Sequence, residues 1–322
     1  MGITQQDTRQ VVAVDVGGTE IKAALVAVGS DHARQLQRRR RRTPRATEAD
    51  QDDATAGAAT VRLIVDAVVE LIEELRAAAE GPVVGAGIVV PGIVDEETGV
   101  AVYSANLGWR DAPLRELIAA RSDIPIAFGH DIRASGLAEI RFGAARGCQD
   151  AVVLPIGTGI AAALLVDGRL LRGAGFAGEI GHVDIGHRER CTCGAVGCVE
   201  AVASSSAVAR RYAERVGRPV KGAAEVATAV QAGDPVAIEV WQDAMDGLTR
   251  AILVLVTLLA PEVVVLGGGL AQSGDLLIAP VRERLAALVS FHRVPLLRPA
   301  ELGDEAGCLG AALLAVGTLE DR

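Results

Sequence analysis

The sequence lacks the features that would insert the chain into a membrane or export it. Half of its 322 residues are apolar and the mean hydropathy is +0.32, yet the most apolar run, residues 251–260, ends at Pro261. That run is about half of the ~20 residues that a membrane-spanning helix needs. The N-terminus, MGITQQDTRQ, lacks the basic and then apolar order of a secretory signal. We therefore expect a cytoplasmic protein.

An excess of positive charge is also missing. The formal net charge is −9 and the isoelectric point is about 5.2, which argues against nucleic acid as a partner. One basic run, residues 38–42, consists of five arginines in a chain whose only lysines are Lys22 and Lys221. Such a run can bind phosphate, but a solvated strand or loop is the commoner role. We expect the solvated segment.

Two nucleotide-binding motifs are missing as well. No G-x-x-x-x-G-K-[ST] occurs, so the chain is not a Walker-type NTPase. No G-x-G-x-x-G leads from a strand into a helix with an acidic residue about 20 positions later, which disfavours a dinucleotide site. Any nucleotide phosphate must therefore be bound by another kind of glycine turn.

The five cysteines do not form a C-x-x-C redox pair, and three of them cluster at Cys191, Cys193 and Cys198. A disulfide would leave one cysteine of the cluster unpaired and would need an oxidising compartment. Three thiolates and one histidine would complete a closed, tetrahedral zinc site of the structural kind. His182 and His187 are both near enough in sequence to be the fourth ligand.

Two similar hairpins are present in the chain. Residues 11–28 contain two apolar, β-rich runs around Gly17-Gly18, and residues 151–171 repeat this pattern around Gly157-Thr158-Gly159. The repeat suggests two related domains, which a chain of this length can support. Helical patterns at residues 58–80, 132–144, 204–216, 235–259 and near the C-terminus alternate with the strands. This alternation predicts an α/β fold with ligands at the carboxyl ends of the strands.

Three glycine turns are candidate phosphate sites. Glycine allows the backbone to approach an anion, and consecutive N–H groups can bind phosphate oxygens. Asp15 lies at a strand end just before the first turn, where it can hold Mg²⁺ through water. The candidate residues are Asp15, Gly17, Gly18, Thr19, Gly157, Thr158, Gly159, Gly267, Gly268 and Gly269.

The order of the motifs resembles the ROK family of sugar kinases and repressors. The motifs are DVGGTEIKAALV, VPGIVD, NLGW, HD, GTG, DGRLLRGAGFAGEIGH, CTCGAVGCVE, VVVLGGGL and LGDEAGCLGAAL. The resemblance implies an α/β fold of two ribonuclease-H-like, actin-like ATPase domains, with sugar and ATP in an interdomain cleft and a structural zinc loop. It implies a smaller domain of residues 1–130 plus 304–322 and a larger domain of residues 131–303.

The resemblance also assigns roles to residues. It implies that Asp131 is the general base, and it favours His182 as the fourth zinc ligand, beside Cys191, Cys193 and Cys198. The residues that it places on the sugar are Gly92, Asn106, Asp131, Glu179, His182 and Glu200, with Trp109 near the same wall. The chain departs from the family at His130, where asparagine is usual, and at Arg133, where asparagine is common.

We expect an ATP- and Mg²⁺-dependent hexose kinase that holds a structural Zn²⁺ and acts on glucose. N-acetylmannosamine or fructose as the sugar, and polyphosphate as the donor, stay open. A repressor of the family needs an N-terminal winged helix, and we do not expect one here because the first strand is predicted near Val11. A sugar-sensing protein without catalysis is the third possibility. Neither nucleic acid nor membrane is expected as a partner, and the assembly is expected to be a homodimer or homotetramer.

Overall fold

The computed structural model describes residues 8–46 and 53–320. Within them the chain forms two compact units. The first unit contains the residues up to Phe142, Arg172–Phe176 and the residues from Asp304 onward. The second unit contains Gly143–Leu171 and Ala177–Gly303.

The first unit is built on a five-stranded sheet with the strand order β3-β2-β1-β4-β8. Its central strand, β1, runs antiparallel to β2 and parallel to β4, and β4 runs parallel to β8. The strands are β1 (Arg9–Val16), β2 (Glu20–Val28), β3 (Ala33–Arg42), β4 (Val83–Val90) and β8 (Ile126–His130). The first hairpin is thus β1–β2, as the sequence predicts.

Three helices and a second sheet complete this part of the first unit. The helices are α1 (Asp53–Ala77), α2 (Leu114–Ala119) and α3 (Asp131–Phe142). The strands β5 (Ile93–Asp95), β6 (Val100–Ser104) and β7 (Trp109–Ala112) form a second, three-stranded sheet. One face of α1 is apolar and buried against the sheet, and its residues recur at helical spacing: Val61, Ile64, Val65, Val68, Leu71, Ile72 and Leu75.

The second unit contains a five-stranded sheet with the order β11-β10-β9-β12-β13. Its strands are β9 (Ala151–Pro155), β10 (Ala163–Val166), β11 (Arg169–Leu170), β12 (Val263–Gly267) and β13 (Leu296–Pro299). Its helices are α4 (Glu200–Ala203), α5 (Ser205–Val216), α6 (Ala223–Gln231), α7 (Pro235–Leu259), α8 (Gly268–Ala271) and α9 (Asp275–Leu288). No helix among the described residues is both long enough and apolar enough to cross a membrane.

The two sheets share one topology. In each, the central strand pairs antiparallel with the next strand of the chain and parallel with a later strand. In both sheets the two strands that follow the central strand in the chain lie on one side of it, and two parallel strands lie on the other side. The repeated hairpin in the sequence therefore indicated a repeated unit.

The final helix, α10 (Ala306–Glu320), packs in the first unit. A side chain at Gly87 of β4 would collide with the carbonyl of Ala311, and one at Gly310 would collide with the carbonyl of Ala134 in α3. Glycine at these two positions lets α10 approach both the sheet and α3 closely. Helix α3 therefore belongs to the first unit, although the sequence-based boundary at residue 130 puts it in the other domain.

Candidate active site and metal cluster

Three candidate residues of the first unit meet at one edge of its sheet. Asp15 pairs with Val89, and Val90 pairs with His130, so β1, β4 and β8 end at the same level. Asp15, Gly92 and Asp131 lie at or just after the carboxyl ends of these parallel strands. This is the edge at which open α/β sheets bind ligands.

The first glycine turn lies beside Asn106. Gly17 donates its N–H to the carbonyl of Glu20 over 2.9 Å, and the Thr43 hydroxyl donates to the Gly17 carbonyl over 2.6 Å. A Cβ on Gly18 would lie 3.8 Å from the Cβ of Asn106. The structure thus brings a candidate sugar residue next to a candidate phosphate turn.

Asp15 lies in a charged environment. Burial raises the pKa of its carboxyl group to about 6, opposed by the charge of Lys22 and assisted by that of Asp304. Lys22 pairs with Asp304, and any side chain at Gly307 would collide with the Asp15 carboxylate. A bound cation would offset the desolvation of this carboxylate, so its surroundings fit the predicted Mg²⁺ role.

Asp131 begins α3 directly after the buried His130. The Asp131 Oδ1 atom accepts the N–H of Ile132 over 2.7 Å and lies 3.5 Å from the His130 Nε2 atom. The N–H of Arg133 donates to the His130 Nδ1 atom over 3.3 Å, so the ring proton is on Nε2. Burial, followed by the charge of Arg133, lowers the pKa of His130 to about 3, against a hydrogen bond to the Gly92 backbone. His130 is therefore a neutral neighbour of Asp131.

Arg133 is buried and paired with Glu96. Its Nε atom donates to the Glu96 carboxylate over 2.9 Å, and its terminal nitrogens face the carbonyls of Val94 and Gly175 at 3.5 and 3.3 Å. The Glu96 carboxylate also lies 3.3 Å from the Nε atom of Arg172. The positive charge that replaces the family's asparagine is therefore compensated within the first unit.

The basic run, residues 38–42, forms the second half of β3 and pairs with acidic residues of the same unit. Arg38 pairs with Glu305, and Arg40 pairs with Glu20 and Asp304. Arg41 pairs with Glu70 and Glu74 on the α1 helix, and Arg39 pairs with Glu74. The solvated strand is confirmed, and these four arginines are already matched by carboxylates.

The two glycine turns of the second unit lie side by side. β9 and β12 are parallel, with Pro155 opposite Gly267, and the N–H of Ile156 donates to the Gly267 carbonyl over 2.9 Å. The predicted glycine loop at residues 267–269 is instead the end of β12 followed by α8, which begins at Gly268 with φ +77°. A side chain at Gly268 would collide with the backbone of Ile156, which explains the glycine.

The G-E-x-G-H segment packs against the residues that follow the Gly157-Thr158-Gly159 turn. The N–H of Ala162 donates to the Gly178 carbonyl over 2.8 Å. Side chains at Gly178 or Gly181 would collide with the carbonyls of Ala162 or Ile160. The two glycines of the motif therefore allow a close approach, which holds Glu179 between them.

The predicted metal ligands converge in the second unit. One donor atom from each of His182, Cys191, Cys193 and Cys198 lies within 4.8 Å of the others. The Cys191 Sγ atom is 3.7 Å from the His182 Nδ1 atom, and the Cys193 and Cys198 sulfurs are also 3.7 Å apart, too far for a disulfide. Three thiols and an imidazole fit a tetrahedral zinc ion.

His187 is turned to the backbone. Its Nε2 atom lies 2.9 Å from the Cys198 carbonyl, and its Nδ1 atom accepts the N–H of Glu189 over 3.0 Å. Both ring nitrogens are thus used to shape the loop, whereas His182 offers Nδ1 to the cluster and Nε2 toward Glu179, 3.8 Å away. The geometry favours His182 as the fourth ligand.

A family model described as the ROK family matches residues 11–318. The chain belongs to the ROK family. This membership confirms the resemblance drawn from the motifs, and it confirms the actin-like ATPase fold that the two repeated sheets display.

Several proteins of known activity or structure are similar over nearly their whole length. The glucokinase of Thermotoga maritima is 32% identical over 94% of this chain and 96% of its own. A ROK hexokinase structure from Thermus thermophilus is 31% identical, with a TM-score of 0.78 over 97% of this chain and 100% of the other. The ROK glucokinase of Streptomyces griseus, solved with glucose and AMPPNP, is 27% identical, with a TM-score of 0.79 over 96% and 99%.

Three residues near the site were missed by the sequence reasoning. Lys22 had a signal, because it is one of only two lysines in an arginine-rich chain. Glu96 had no such signal, because its pairing with Arg133 depends on a contact between residues 37 positions apart. Ser205 lies in an undistinguished serine run, and no local pattern marks its contacts with Ile156 and Gly157.

Proposed function

We propose that the chain is an ATP-dependent hexose kinase whose sugar is glucose. The observation that carries this proposal is the placement of Asp131 at the carboxyl end of β8, at the same sheet edge as Asp15 and its glycine turn. A carboxylate and a phosphate turn at one edge are the parts that phosphoryl transfer to a hydroxyl needs. The similarity to ROK glucokinases over the whole chain supports the same reaction.

In the proposed reaction, a hexose hydroxyl oxygen attacks the γ-phosphorus of ATP. The bond between the γ-phosphorus and its bridging oxygen breaks, and ADP leaves with that electron pair. Asp131 accepts the proton of the hydroxyl. An ordinary carboxylate is sufficient here, because proton transfer is late when the transition state is loose.

The turns at residues 17–19, 157–159 and 267–269 are proposed to bind phosphate oxygens through backbone N–H groups and the hydroxyls of Thr19 and Thr158. Asp15 would hold Mg²⁺, which neutralises phosphate charge when it is bound. The donor is proposed to be ATP, and polyphosphate is the donor to test against it.

The hexose is proposed to contact Asn106, Asp131, Glu179, His182 and Glu200, with Gly92 near them. Carboxylates suit a sugar because each accepts hydrogen bonds from two hydroxyls and so selects their stereochemistry. Zinc bound to His182, Cys191, Cys193 and Cys198 would fix the segment that carries Glu179, His182 and Glu200. A homodimer or homotetramer is the proposed assembly.

The test is an ADP-release assay over a panel of hexoses and amino sugars, with ATP and polyphosphate as donors. We expect turnover with glucose and ATP. In the Asp131→Asn protein, kcat should fall roughly 100-fold or more while calorimetric glucose affinity stays within about threefold.

The matched control is Asp123→Asn, which removes an exposed carboxylate of the same unit that pairs with Arg76. It should leave kcat unchanged. Glucose binding without ADP release for any sugar would contradict the kinase and support a sugar-sensing protein. Release with another hexose alone would retain the kinase and replace glucose.

A further inference from the structure

Glu200 contacts the Gly157-Thr158-Gly159 turn directly. Its Oε2 atom accepts the N–H of Ile160 over 2.8 Å. A Cβ on Gly159 would lie 2.7 Å from the same oxygen, so the carboxylate is packed against the turn. One oxygen of a residue proposed for the hexose is therefore already bound to the backbone directly after the proposed phosphate turn.

Ser205 contacts the other side of the same turn. Its N–H donates to the Gly157 carbonyl over 2.8 Å, and its hydroxyl donates to the Ile156 carbonyl over 3.1 Å. That carbonyl also accepts the N–H of Leu270 over 3.1 Å, in α8, which begins at Gly268. Ser205 thus joins both glycine turns of the second unit.

Only four residues separate Glu200 from Ser205, and most of them form the single turn of α4. The other three residues of α4, Ala201, Val202 and Ala203, are all buried. A short, packed helix moves as one piece, because protein interiors are close-packed and leave its side chains little space. A shift of Glu200 is therefore transmitted to the turn at both of its ends.

We propose that Glu200 and Ser205 are positioning residues that clamp the Gly157-Thr158-Gly159 turn, so that hexose binding and nucleotide binding are coupled through α4. The inference rests on the proposed function, which assigns the hexose to Glu200 and phosphate to the turn. The second carboxylate oxygen of Glu200 meets the hexose while the first holds the turn. A hexose that orders Glu200 thereby orders the turn for phosphate.

Two alanine substitutions within the one turn test the clamp. Gly159→Ala places a methyl group against the Glu200 carboxylate, whereas Gly157→Ala points into open space. Glucose affinity is measured by calorimetry without nucleotide. We expect Gly159→Ala to raise the Kd for glucose about tenfold, because a hydrogen bond to a charged group is displaced, and Gly157→Ala to leave that Kd within about twofold.

Ser205 tests the coupling. The Kd of AMPPNP is measured with and without glucose, and the Kd of glucose with and without AMPPNP. The two factors must be equal in the wild-type protein, because coupling is reciprocal. Ser205→Ala should reduce the common factor about three- to tenfold, and Ser205→Thr, which keeps the hydroxyl, should restore it.

Equal glucose affinity in the Gly159→Ala and Gly157→Ala proteins, or full coupling in Ser205→Ala, would overturn the clamp while leaving the kinase intact. A wild-type protein that turns over glucose but shows no coupling would overturn it too. A wild-type protein that neither binds glucose nor releases ADP would instead contradict the proposed function, and the clamp with it.

Discussion

The two hairpin turns have the same place in equivalent sheets but different chemical surroundings. The first-unit turn, residues 17–19, lies among charged groups, with Asp15, Lys22 and Asp304 acting on one another. The second-unit turn, residues 157–159, is held by the Glu200 carboxylate on one side and by Ser205 on the other. The same architecture thus presents two turns with different surroundings, and both are proposed phosphate sites.

The difference shows how each turn can act on a negatively charged ligand. In the first unit a desolvated carboxylate is suited to a cation, which would bring the positive charge. In the second unit the turn has only backbone N–H groups and a threonine, so its position must be set by neighbouring elements. The first turn therefore depends on charge and the second on the packing around it.

Metal removal should have the largest effect and should be confined to the second unit. We expect about one zinc per chain in the wild-type protein and almost none in Cys193→Ser. Hydrogen exchange in Cys193→Ser should then show that the free energy of opening of residues 157–160 and 178–200 is lowered by about 3 kcal/mol or more. The free energy of opening of residues 15–20 should be unchanged.

Glucose affinity should fall in the same Cys193→Ser protein. Cys148→Ser, which alters a cysteine outside the cluster, is the matched control and should keep both metal and glucose. Full activity in metal-free protein would contradict the role of the cluster. Opening of residues 15–20 would contradict the contrast between the two units.

Matched substitutions in the two turns should differ in size. Asp15→Asn removes the charge that would hold the cation, and kcat/KM for ATP should fall about 100-fold, or about 2.7 kcal/mol. Thr158→Ala removes one hydroxyl donor and should cost about fivefold. Steady-state kinetics at saturating glucose measures both. Equal losses would show that charge is not what separates the turns.

The smallest effect concerns pH and the buried His130. Its pKa is lowered to about 3 in the folded protein, so the unfolded chain takes up a proton first as pH falls below about 6.5. His130 therefore removes stability as pH falls through that window. As pH is lowered from 7 to 5, the unfolding free energy of His130→Asn should rise by about 1–2 kcal/mol relative to that of the wild-type protein.

Asp15 should act in the opposite direction. Its folded pKa of about 6 lies above the usual value of 3.8, so its contribution is present at low pH and is lost as pH rises through that interval. Urea titrations of His130→Asn and Asp15→Asn at several pH values should thus show opposite slopes relative to wild type. Parallel slopes would contradict the assigned protonation states.

Much of the fold was predictable because local patterns determine it. The β1–β2 hairpin follows from apolar runs around two glycines, and α7 follows from its proline start and long apolar face. The three-stranded sheet β5–β7 and the short helix α2 were not predicted. Their segments are too short to display a hydrophobic period, so only packing against neighbours decides them.

The site was predictable where several residues of one motif act together. The cysteine spacing and the G-E-x-G-H motif predict the cluster that the structure assembles from His182, Cys191, Cys193 and Cys198. The environment of Asp131 was not predictable in the same way. His130 and Arg133 were visible only as departures from a pattern. Burial and the charge of Arg133 keep His130 neutral, and Glu96 compensates Arg133.

The sequence alone was enough to predict the repeated hairpins, the ligand types of the metal cluster and the family of the chain. Each of these features depends on residues that are close together along the chain. Tertiary structure decided that His182 rather than His187 faces the thiols, that Arg133 is matched by Glu96, and that Glu200 and Ser205 hold the Gly157-Thr158-Gly159 turn. These choices depend on distances between distant residues. Only the packed backbone sets those distances.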